Sequence, residues 1–226
     1  MKRYKDYTIN YRYNENKIPK RSYNIDYAIA SVDNGNNIIP FWKTHGSTID
    51  EGCLCQWYKC KFYDPMDDIE YCCTEQFMMA QKANLFGDEK SMIKIINETN
   101  PANIQKLGRL VKNFDPVKWD KFKYYIVVNG NIRKFEQNPK LKEYLLSTDD
   151  SILVEASPYD RIWGVGISED NDDIWYPEYW KGQNLLGFAL MEVRKMLNTG
   201  KEIEEIFKEM TGKSISESLK EIKFNK

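Results

Sequence analysis

The residues best suited to chemistry in this chain lie in one run, Val154-Glu155-Ala156-Ser157-Pro158-Tyr159-Asp160-Arg161-Ile162-Trp163-Gly164-Val165-Gly166. It starts as an apolar strand and ends on paired glycines. Glu155 and Asp160 offer proton-transfer groups, Trp163 offers a stacking face, and Gly164 lets backbone approach a phosphate or sugar closely. The same residues also read as an ordinary strand-to-loop turn holding a buried tryptophan and two capping acids. The run alone points to a ligand site and names no reaction.

Such a loop needs elements to hold it. Ile152 to Ala156 reads as a buried strand, with Glu155 at its end. Thr74 is placed to cap a helix from Glu75 to Leu85, followed by helices from about Asp88 to Asn97 and from Pro101, a residue suited to a first helical position. Asp115-Pro116 repeats that start signal. Residues 117–135 read as helix because Trp119, Phe122, Tyr125 and Ile126 follow helical spacing, although Asn129-Gly130 is a hairpin signal. Asn138-Pro139 opens a short helix through Leu146. Leu185 to Leu197 is apolar nearly all round and is expected to be the central core helix. Between Cys53 and Cys73, short aromatic segments alternate with turn residues such as Asp64-Pro65, which predicts two or three short strands. Residues 1–37 read as an N-terminal extension with a strand-like patch at Tyr27 to Val32. Residues 199–226 read as a tail, with Ile203, Ile206, Phe207 and Met210 at helical spacing.

Composition bounds the rest. A chain of 226 residues with 42% hydrophobic and 14% aromatic content is long enough for one sizeable core. Its 33 basic and 34 acidic residues leave a net charge of −1, so no bulk field draws it to nucleic acid, which remains a possible but disfavoured partner. The five cysteines, Cys53, Cys55, Cys60, Cys72 and Cys73, form a poor disulfide framework and are expected reduced. Even with His45 nearby they lack the paired spacing of a zinc site, so neither metal nor cofactor is expected. The first residues lack an apolar signal core, and the stretch from Leu185 to Met191 falls far short of the ~20 residues that span a bilayer. The expectation is a cytoplasmic protein with no membrane partner and an oligomeric state the sequence leaves open.

Six segments carry a resemblance when taken in order. They are Leu54-Cys55-Gln56-Trp57-Tyr58, Thr74-Glu75-Gln76-Phe77-Met78-Met79-Ala80-Gln81-Lys82-Ala83, Leu107-Gly108-Arg109, Lys134-Phe135-Glu136-Gln137-Asn138, the run from Glu155 to Gly166, and Trp180-Lys181-Gly182-Gln183-Asn184 with the apolar stretch through Arg194. Together they resemble the NADAR, or YbiA-like, family over residues 38–198. Cys55 departs from the pattern, standing where the family usually has serine. The resemblance implies an α+β, helix-rich domain of packed helices with a few short strands. It also implies an N-glycosidase that releases ribose 5-phosphate from phosphoribosylamino-pyrimidine intermediates of riboflavin biosynthesis. The alternatives are removal of ADP-ribose from guanine in nucleic acid, or a non-catalytic ADP-ribose binding module.

Under that resemblance the residues acquire roles. On a helix, Glu75, Met78, Met79 and Lys82 share a face, with Glu75 and Lys82 about 10 Å apart along the axis. Cleaving an N-glycosidic bond needs a stabilised cation at C1, an activated water and a proton for the leaving nitrogen. Glu75 is the expected carboxylate for water or cation, Asp160 the second carboxylate and candidate acid or ribose-hydroxyl ligand, and Lys82 a phosphate ligand or a Schiff-base nucleophile. Trp163 is expected to stack on the base. Arg109 and Lys134 are candidate phosphate partners or, alternatively, structural salt bridges. Glu155 and Gly164 line the loop, and Asn184 is expected to cap the last helix at a potential anion site. Trp57 and Trp180 read as support, and Arg194 as a structural pair.

Overall fold

The computed structural model describes residues 20–44, 49–66, 68–201, 205 and 208. Among them are seven α-helices and four short strands, so the fold is α+β and helix-rich. The N-terminal part runs α1 (Ile25–Asp33), β1 (Ile38–Phe41), β2 (Phe62–Asp64) and β3 (Ile69–Tyr71). Then come α2 (Thr74–Leu85), α3 (Glu89–Ile96), α4 (Pro101–Arg109), α5 (Pro116–Glu136) and α6 (Pro139–Ser147). The last elements are β4 (Ile152–Glu155) and α7 (Leu185–Asn198). No helix among the described residues is long and apolar enough to cross a membrane.

Three helices make the spine. α2 packs on α3, α4 and α5, and α5 packs on α7, which lies along β4. Val127, Val128, Ile132 and Phe135 of α5 and Phe188, Ala189, Leu190 and Val193 of α7 are buried. α5 thus shares the central place that composition assigned to α7 alone. The Asn129-Gly130 turn signal is overridden within it, since a Cβ at Gly130 would sit 2.7 Å from the Phe77 ring and glycine is what lets α5 close on α2.

Two small sheets flank this spine. β1 pairs in parallel with β4, Ile38 opposite Ile152 and Phe41 opposite Glu155, and β2 pairs antiparallel with β3. The close seat of α7 on β4 depends on Gly187, where a Cβ would lie 2.0 Å from the Leu153 carbonyl oxygen. Gly187→Ala must therefore lift α7 from the strand. We expect it to cost about 1–3 kcal/mol, the usual range for overpacking, seen as a lower urea midpoint with an unchanged slope.

Two sequence expectations are corrected. Tyr27 to Val32 is part of α1 rather than a strand, because the Asn24 side chain accepts from the Tyr27 N–H at 2.8 Å and starts the helix, which then buries Ala28 and Ser31 three residues apart. The cap of α2 is Cys73 and not Thr74. Thr74 is already helical, and its hydroxyl donates to the Gln56 carbonyl at 3.2 Å. The helical spacing expected at Ile203, Ile206, Phe207 and Met210 lies outside the described residues, as does His45.

Candidate active site

The first turn of α2 fixes Glu75. Its N–H donates to the Gln56 carbonyl at 3.0 Å, the same oxygen that receives the Thr74 hydroxyl, so the Gln56 main chain clamps the start of the helix. The Glu75 side chain is 3% exposed, and its Oε1 is enclosed with no hydrogen-bond partner. Burial and then the charge on Asp160 push its pKa up to about 8, against the opposing pull of Arg109 and Lys82. Glu75 therefore holds its proton at neutral pH.

Glu155 ends β4 with its Oε2 likewise enclosed and without a partner. Burial first, then Asp160 and Glu75, hold it well above the ordinary carboxylate range. Asp160 completes the group. Its Oδ1 accepts from the N–H groups of Ile162 and Trp163, both at 2.8 Å, so it shapes the loop as well as charging the site. Val165 N–H donates to the Glu155 carbonyl at 3.0 Å, and Gly166 N–H to the Asp160 carbonyl at 3.1 Å. A Cβ at Gly164 would lie 2.8 Å and 3.0 Å from those two carbonyls, which is why glycine stands there.

Lys82 lies in the last turn of α2, within electrostatic reach of Glu75. Its half-buried ammonium donates to the Gly108 carbonyl at 2.9 Å and lies 4.3 Å from the Phe114 ring centroid and 5.5 Å from that of Trp119. Burial lowers its proton affinity, Glu75 opposes that shift, and Arg109 adds to it. Gly108 is required at this contact, since a Cβ there would fall 1.9 Å from the Met79 sulfur. Arg109, on the last turn of α4, is exposed and within electrostatic reach of Glu75 and Lys82. Glu75, Lys82, Arg109, Glu155, Asp160, Trp163 and Gly164 are thus brought together or onto one loop.

Lys134 and Asn184 do other work. Lys134 is wholly buried and donates to the Cys55 carbonyl at 3.0 Å, with the Tyr58 and Phe135 rings 5.6 Å and 5.0 Å away, so no phosphate reaches it. Asn184 adopts a left-handed φ of 52° and makes no cap bond. Its side chain instead bridges the strand, donating to the Leu153 carbonyl at 2.8 Å and accepting from the Glu155 N–H at 3.0 Å, which sets Glu155 in place. Trp57 is 41% exposed rather than core and lines a groove of about 730 Å³ with Tyr58, Lys59 and Asn100. Phe114 and Trp119 were not expected at the site, and nothing in their spacing relates them to Lys82.

A NADAR domain profile matches residues 40–198, more than half of the chain. The chain belongs to the NADAR family. An N-glycosidase from Acanthamoeba polyphaga mimivirus is 43% identical over 143 residues, covering 62% of this chain and 84% of that protein. The N-glycosidase YbiA of Escherichia coli is 32% identical over 124 residues, 55% of this chain and 69% of that one. The NMR structure of E. coli YbiA superposes with a TM-score of 0.59 at 28% identity, covering 73% of this chain and 87% of that one. Within this NADAR domain, the acid group spans α2, β4 and the loop after it, all inside the matched residues.

Proposed function

We propose that the chain is an N-glycosidase that hydrolyses the bond between C1 of a phosphorylated ribose and a heterocyclic nitrogen, acting on phosphoribosylamino-pyrimidine intermediates of riboflavin biosynthesis. The observation that carries this reading is Glu75, a carboxyl buried in the first turn of α2 with its Oε1 enclosed and without a partner, where burial raises its proton affinity. Its relatives named N-glycosidases support the reaction class.

In this reading Glu75 delivers its proton to the leaving nitrogen as the C1–N bond breaks, and the carboxylate left behind steadies the positive charge at C1. That favours the acid role over the water-activating role expected from sequence. Asp160 then takes a proton from the attacking water. In the same reading Arg109 pairs with the phosphate and Trp163 stacks on the base. The alternative course runs through an opened sugar: Lys82, after giving up a proton to water, attacks C1 of the open-chain imine, the heterocyclic amine leaves, and water hydrolyses the Lys82 imine to release the sugar phosphate. Borohydride during turnover separates the two courses: direct hydrolysis by Glu75 and Asp160 leaves no adduct, and a stable adduct on Lys82 would assign the imine course.

The deciding experiment is release of ribose 5-phosphate from the phosphoribosylamino-pyrimidines by purified protein, with ADP-ribosylated guanosine DNA in parallel. Release from the small molecules is the expected result. Turnover of the DNA alone would move the substrate to nucleic acid, and no turnover of either would favour a binding module.

A further inference from the structure

We propose that Cys72 and Cys73 form a thiol-modification site, a vicinal dithiol that low-molecular-weight disulfides convert to an intramolecular disulfide. The two sulfurs lie 3.9 Å apart at the junction of β3 and α2. Cys72 is half-buried, and Cys73, the N-cap of α2, is wholly buried. Both are free thiols, as are Cys53, Cys55 and Cys60.

The chemistry is asymmetric. The contact between the two thiols brings Cys72 down to about 7, with Lys59 assisting, while the same contact and burial push Cys73 well up. A thiol with a pKa near ambient pH is the best attacker on a disulfide. The Cys72 thiolate attacks one sulfur of the external disulfide and releases one thiolate, which leaves a mixed disulfide. Cys72 then carries no negative charge, so the main cause of Cys73's high pKa is gone. Cys73 loses its proton and attacks the Cys72 sulfur, which releases the second thiolate. The protein loses two electrons and two protons, and the external disulfide becomes two thiols.

Closing the bond to about 2.05 Å must draw the sulfurs together by about 2 Å. The backbone between them is held on both sides. Cys60 N–H donates to the Cys72 carbonyl at 3.1 Å, and Cys72 N–H donates to the Gln76 Oε1 at 2.8 Å. Cys73 itself is extended, with φ −168° and ψ 163°, and lies two residues before Glu75. The ring strain is therefore passed to the first turn of α2 and to the clamp at Gln56.

The test is incubation of the full reduced chain with glutathione disulfide, followed by intact mass and peptide mapping. We expect loss of two hydrogens from the peptide holding Cys72 and Cys73, with no retained glutathione, and reversal by dithiothreitol. Cys73→Ser should stop at a glutathione adduct on Cys72, and Cys72→Ser should take up none at this pair. A lasting adduct on the wild-type chain, or a crosslink mapped to Cys60, would overturn the assignment. The effect on turnover rests on the N-glycosidase reading, whereas the mass readout does not. Turnover should fall at least severalfold on oxidation and return on reduction, with Cys72→Ser insensitive; a fully formed disulfide with unchanged turnover would overturn the link to α2.

Discussion

Glu75→Gln is expected to lower turnover by about 10²–10⁴-fold, the usual contribution of a positioned proton-transfer group, with substrate affinity nearly unchanged. Glutamine keeps the shape and the backbone bond to Gln56, and Glu75 Oε1 has no hydrogen-bond partner to lose. If Glu75 is the acid, kcat/KM falls as pH rises through about 8, where it gives up its proton. A rate that climbs through that pH would assign Glu75 the base role and leave Asp160 as the acid. The same group sets a sign for stability. Its folded pKa lies above the unfolded carboxylate value near 4.3, so the folded chain binds the extra proton and stability declines from about pH 4 to about pH 8, then levels. Glu75→Gln removes this slope. The variant should match wild type near pH 4 and exceed it near pH 9, as measured by urea unfolding at both pH values. An inactive variant that is more stable than wild type at high pH is the signature of a carboxyl held for chemistry.

How much of this was legible depends on distance along the chain. Helix starts were readable because their signals are local. The Asn100 side chain accepts from Ala102 and Asn103 N–H groups, and that of Asp115 from Val117 and Lys118, each just before a proline. α1 was misread because Tyr27-Ala28-Ile29-Ala30 carries no clear period of its own and the signal lay in Asn24, outside the apolar patch. The resemblance placed Glu75, Lys82 and Asp160 in one site without saying how each is held. Phe114 sits 32 positions after Lys82, and their contact exists only because α4 turns back along α2 through Gly108. Asn184 shows the opposite failure. Its type and place before a helix fit a cap, yet a left-handed backbone aims its amide at β4, and sequence carries no mark of that torsion.

Asp64→Ala is expected to destabilise the fold by about 3–5 kcal/mol, because it leaves a buried guanidinium without its carboxylate. Arg133 Nε lies 3.1 Å from Asp64 Oδ1, with the two side chains 2% and 0% exposed. Arg133 also donates to the carbonyl and side chain of Asn129, one turn earlier on α5, so the arginine is anchored within its own helix as well as to the hairpin. Asp64 Oδ1 in turn accepts from the Met66 N–H at 3.0 Å, which shapes the β2–β3 turn. At roughly 2–4 °C per kcal/mol for a chain of this size, the loss corresponds to about 6–20 °C in Tm. Replacing both partners, as Asp64→Leu with Arg133→Met, should recover much of it, since desolvating two charges costs what their attraction returns. Gln137 pins the same hairpin from outside, accepting from the Tyr63 N–H and donating to the Tyr63 carbonyl, both at 2.8 Å, and its loss should matter far less because the site is exposed. The hairpin leads straight into Cys72, Cys73 and α2. If it serves only to hold that helix start, Asp64→Ala assayed well below its own Tm keeps wild-type kcat, and activity falls only with the folded fraction. A drop in kcat at a temperature where the variant is fully folded would show that the ion pair also sets the position of Glu75.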